Sequence, residues 1–90
     1  MKFNTGQWVK VDDGSDFVRF GPVTSTTDTV ITVQSQYSRD TNGKLYRCNK
    51  IFECPESQIR IPEGHEISLI KFSHAAPDEL EDEPYQNLRG

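Results

Sequence analysis

Apolar and polar residues alternate over short stretches of this chain, and Gly, Asn, Asp or Pro interrupts them at close intervals. A period of two with frequent turn residues predicts half-buried strands joined by tight turns. The runs "QWVKVDD" and "DFVRFGPV" flank Gly14-Ser15, and glycine in the first position of a two-residue loop predicts a type II′ hairpin. That pairing sets Val11 opposite Val18 and Val9 opposite Phe20, with Lys10 and Arg19 on the other face. Pro22 has no N–H to give to a ladder, so it ends or bulges the second strand. A polar turn, "TSTTD", then leads into the strand "TVITVQSQY".

Asn42-Gly43 is the strongest local signal, because both central residues of a type I′ turn need positive φ. Pairing the strands around it sets Ile31 against Cys54, Val33 against Phe52, Ser35 against Lys50, Tyr37 against Cys48 and Arg39 against Tyr46. One face is then mostly apolar. The other carries Thr32, Gln34, Gln36, Ser38, Arg47, Asn49 and Glu53, with Leu45 and Ile51 as exceptions. Leu45, Cys48, Ile51 and Phe52 also fit a helical stripe, which leaves a short helix as the alternative. On a strand, Cys48 and Cys54 stand about 20 Å apart at ~3.3 Å per residue, too far for a disulfide. They are expected to be buried free thiols.

Beyond Cys54, "PESQ" reads as a tight or 3-10 turn, "QIRIP" as a short strand ended by Pro62, "PEGH" as a turn and "EISLIKF" as the last strand. The sum is an all-β domain, a five- or six-stranded antiparallel barrel over residues 1–72, with no helix of its own. Strand lengths, turn spacing and the tight turn before "QIRIP" make residues 6–72 resemble an SH3-like or Tudor-like small barrel. From Ser73 the composition changes. Residues 73–90, "SHAAPDELEDEPYQNLRG", hold two prolines, five acids and few apolar residues, which predicts a disordered acidic tail. Asp78 to Glu83 could form one helical turn behind Pro77.

The net charge of −4 belongs wholly to that tail, because residues 1–72 carry equal numbers of acidic and basic side chains. Lys2 precedes no apolar run of the kind a signal peptide needs, and no run approaches the ~20 apolar residues that span a bilayer. A cytoplasmic protein with no membrane partner is therefore expected.

The catalytic signatures sought are missing: no Gly-x-Ser-x-Gly, no His-Glu-x-x-His and no phosphate-cradling glycine loop. Cys48, Cys54, His65 and His74 lack the tight pairs of a structural zinc site. No cofactor, no metal and no enzymatic activity are expected. The leading expectation is a protein-interaction module, adaptor or inhibitor. It would act through Trp8, Lys10 and Arg19 on the barrel surface, or through Leu80, Tyr85 and Leu88 in the tail. Trp8 could equally cap the core, and the tail could serve solubility alone. The alternative is nucleic-acid binding through a basic and aromatic face of Tyr37, Arg39, Tyr46 and Arg47. The charge balance disfavours it, since phosphate binding needs several net cationic contacts. An open edge strand would also allow a homodimer.

Overall fold

The computed structural model describes residues 3–84. One six-stranded sheet contains β1 (Trp8–Val11), β2 (Val18–Thr26), β3 (Ile31–Arg39), β4 (Leu45–Cys54), β5 (Ile59–Arg60) and β6 (Glu81–Asp82). The strand order is β5-β1-β2-β3-β4-β6, antiparallel throughout except for the parallel β4–β6 pair. A 3-10 turn, Glu56–Gln58, joins β4 to β5, and a helix, α1 (Gly64–Ala75), follows. Val9, Val11, Val23, Ile31, Val33, Cys54 and Ile59 share one core with Phe3, so the end of β4 and β5 contribute to the same cluster. Their backbones do not pair, and the sheet stays open along that line.

The first half of the β3–β4 hairpin has the expected register: Ile31 opposite Cys54, Val33 opposite Phe52, Ser35 opposite Lys50. A bulge at Gln36 then shifts it, so Tyr37 faces Arg47 and Arg39 faces Leu45. The shift exchanges two side chains. Ser38 goes into the core side and Tyr37 moves to the opposite face, because side-chain direction has a period of two. The turn itself differs from type I′. Gly43 alone takes positive φ, at 88°, and the Asp40 carboxylate accepts the N–H groups of Asn42 and Lys44. A tight turn closed by a left-handed glycine is the three-residue alternative for a hairpin.

The first hairpin is corrected by one residue. Val9 lies opposite Gly21 and Val11 opposite Arg19, across a loop that runs from Asp12 to Phe17. Arg19 therefore shares the face of Val9 and Val11, and Phe20 shares that of Lys10. Pro22 does not end β2, which runs on to Thr26; the bulge between Phe20 and Val23 puts its extra residue on β3 rather than at Pro22. At that bulge the backbones crowd: a Cβ on Gly21 would lie 2.8 Å from Ser35 Cα and closer still to the Gln34 carbonyl oxygen.

The expected last strand, "EISLIKF", is instead helical. Glu63 and Glu66 form a reciprocal capping box at the start of α1, and Ala76 and Pro77 end it. The buried face of α1 is Glu66, Ile70 and Ser73, at helical spacing but two-thirds polar. That is why its apolar residues read as an alternating strand. The helix runs through the 72/73 boundary. A 3-10 turn over Pro77–Glu79 follows, Leu80 is buried against Phe20, Tyr37 and Ile70, and β6 pairs with β4. Among the described residues no helix is long and apolar enough to cross a membrane.

Candidate interaction groove

Helix α1 lies on the sheet face that carries Trp8, Lys10, Phe20, Tyr37 and Arg39, and one carboxylate fixes it there. Glu66 is buried, and its oxygens accept from Lys10 Nζ at 2.9 and 3.1 Å and from the Glu63 N–H at 2.8 Å, with Arg39 Nη2 at 3.1 Å. A buried charge is tolerable only when paired and fully hydrogen-bonded, and Glu66 meets both conditions. Burial alone would raise this carboxyl; the hydrogen bonds from Glu63 and Lys10, with the Lys10 and Arg39 charges, outweigh it and lower the pKa.

At the other end of α1, His74 closes an aromatic trio. Its ring meets Trp8 edge-on at 5.3 Å and Tyr37 at 5.2 Å, while Trp8 and Tyr37 stack at 6.1 Å. Tyr37 Oη and His74 Nδ1 share a hydrogen bond of 2.9 Å. Trp8 is thereby held in place while remaining half-exposed.

Beside the trio runs a groove of about 340 Å³ lined by Trp8, Ile61, Pro62, Ile67, Ile70, Lys71 and His74. Ile61 is 57% exposed and Ile67 43%; Phe72 is exposed too but does not line the groove. Ile51 is also exposed but stands apart on β4. A larger depression of about 720 Å³, lined by Phe3, Glu56, Ser57, Ile59, Arg60 and Ile61, meets the groove at Ile61. Half of its lining residues are polar, and Arg60 is turned onto the Ser57 carbonyl. The groove with the apolar lining is the better binding candidate.

The charged groups of the sheet are largely matched within the fold. Lys10 and Arg39 meet Glu66, Arg19 and Lys50 meet Glu83, Lys44 meets Glu81, and Arg47 meets Asp82. Glu83 is the most shielded of the acids in the final segment. Burial would raise its carboxyl, but two hydrogen bonds from Arg19, with the Ser38 hydroxyl and Cys48 thiol beside it, hold the pKa down at about 2. Ser38 Oγ is buried beside Glu83 without a well-formed hydrogen bond. Cys48 and Cys54 are free, buried thiols, and burial is the leading cause that raises both. Among the described residues no three His, Cys, Asp or Glu side chains converge as metal ligands.

The residues singled out from the sequence are thus dispersed. Trp8 lines the groove, Lys10 is spent on Glu66, and Arg19 is buried on the opposite face over the rings of Phe17 and Phe52. Leu80 is a core residue; Tyr85 and Leu88 lie outside the described residues. Tyr37 is buried under α1, whereas Tyr46 packs against Phe17 on the other face and donates to Asp40. Arg39 and Arg47 face carboxylates. Sequence reading missed Ile61, Ile67, Lys71 and His74. The last three recur at helical spacing, a signal hidden by assigning Ile67 and Lys71 to a strand and His74 to the tail. Comparison with protein-family models, with curated proteins and with solved structures finds no match to this chain.

Proposed function

We propose that this protein is a small non-catalytic interaction module, an adaptor or inhibitor, whose working surface is the groove between α1 and the β1–β5 side of the sheet. One observation carries the reading: Ile61 and Ile67 are exposed in one groove beside a half-exposed Trp8. Exposed apolar groups gathered in one patch mark interaction sites, whereas single ones are ordinary. Tryptophan is enriched at binding hot spots. The Tyr37 and His74 contacts reduce the ordering cost of using Trp8, because its ring is already positioned. The same reading takes the sheet as an SH3-like or Tudor-like open barrel, supported by the 3-10 turn that returns β5 to β1. It takes the compartment as cytoplasmic, where buried, unbridged thiols are usual.

Nucleic-acid binding is the weaker reading. Tyr37 and Tyr46 lie on opposite faces, and Arg39 and Arg47 already face carboxylates. Affinity capture from the native host tests the choice, with wild type, Ile67→Asp and Arg47→Glu as baits. A protein held by wild type and Arg47→Glu but lost with Ile67→Asp supports the groove. One lost with Arg47→Glu and kept by Ile67→Asp moves the function to the sheet face.

A further inference from the structure

Of the lysines and arginines in the described residues, Lys71 is the one with no ion pair or hydrogen bond to another described residue. Six others face carboxylates, and Arg60 donates to a carbonyl. This unmatched cation lines the apolar groove. No carboxylate lines it with Lys71, and its only other ionisable lining group is His74. Glu66, the nearest acid along the buried side of α1, is saturated by Lys10, Arg39 and the Glu63 N–H.

We infer that the groove takes a peptide segment of a partner protein that inserts a bulky apolar side chain between Ile61 and Ile67 and sets a carboxylate on Lys71. The inference rests on the groove being the working surface, and it adds the chemistry of the occupant. The apolar walls supply the burial term. Lys71 supplies orientation and sign: a partner cation at that position would meet a like charge with no carboxylate partner, while a carboxylate would complete the pattern followed by the sheet's own cations.

Trp8 is the sole tryptophan of the chain, so its emission reports directly on the groove. Two labelled synthetic peptides with the same Leu/Phe centre, one flanked by Glu and one by Lys, would be titrated with the full chain. Peptide anisotropy and Trp8 emission would both be followed. The Glu-flanked peptide binds more tightly, by about threefold at low ionic strength, as an exposed ion pair allows. The gap closes in high salt. Lys71→Glu reverses the order, and Ile67→Asp removes binding of both peptides. Both substitutions fall at exposed positions, and circular dichroism with a thermal melt confirms that the variants fold.

Equal affinities, or a Lys-peptide preference unmoved by Lys71→Glu, would overturn the carboxylate requirement. If Ile67→Asp still abolished binding, the groove reading would survive. Binding that persists in Ile67→Asp, or no binding by either peptide, would overturn both together. A chain that sediments as a dimer and dissociates in Ile67→Asp would give the groove to a second copy and overturn the partner assignment.

Discussion

Arg19 Nη2 lies 2.9 Å from Glu83 Oε2, with both side chains almost fully shielded from solvent, and this pair fastens the end of the described chain to the second strand. The guanidinium also rests over Phe52, 4.8 Å from the ring centroid. Removing one member of a buried pair leaves the other charge without compensation. Glu83→Ala should therefore destabilise the fold by about 3 kcal/mol, and Arg19→Met with Glu83→Leu should recover much of that loss. Urea denaturation of the single and double variants measures both.

The same carboxylate sets an acid limit. Glu83 titrates near 2 in the folded protein against an ordinary 4.5, so its contribution is complete above about 4.5 and disappears as pH falls through about 2. Glu66 is lowered as well and acts with the same sign. Thermal melts between pH 7 and pH 2 should show wild type losing stability steeply below pH 4.5. Glu83→Gln, which has no carboxylate to protonate, should begin less stable and fall more gently.

Glu66→Ala removes three things together: the partner of Lys10, the partner of Arg39 and half of the capping box of α1. A loss of about 3 kcal/mol or more is expected, because two partly buried cations are left unmatched. The local consequence is specific. Helix α1 should undock before the sheet unfolds, which amide hydrogen exchange would register as early exchange in residues 64–75.

Gly21→Ala tests the crowding at the β2–β3 bulge. The added methyl would collide with the backbone of Gln34 and Ser35, which cannot move aside as a side-chain tip can. A loss of about 2–3 kcal/mol follows from overpacking of this kind. A neutral result in chemical denaturation would mean that the β2–β3 crossing is looser than described.

Cys48 and Cys54 should resist a thiol-specific reagent in the native protein, since both are buried and burial raises their pKa values. Labelling should track global unfolding across a denaturant series. Rapid native labelling of Cys48 would show that the Glu83 segment opens on its own.

How much of this could be read from residues differs by element. The pairing of Ile31, Val33 and Ser35 with Cys54, Phe52 and Lys50 was legible, because alternation admits only one register there. Past Gln36 it was not. Tyr37, Ser38 and Arg39 each suit either face, so nothing in the sequence marks the bulge that exchanges them. Helix α1 was misread because its buried face includes Glu66 and Ser73, and those become sensible only once Lys10 and Arg39 are brought over them. Composition counts the acids of the final segment but cannot show that Glu81, Asp82 and Glu83 meet Lys44, Arg47 and Arg19. Of the groove, only Trp8 was anticipated. Its walls depend on the helix that the alternating pattern concealed.

The most direct test of the groove as the working surface is a two-dimensional amide NMR titration of the full chain with the Glu-flanked peptide. The account predicts that shifts concentrate on the Trp8 indole, Ile61, Ile67, Lys71 and His74 while β4 stays unmoved. Shifts centred on Arg47, Asn49 and Gln34, with the indole silent, would contradict it.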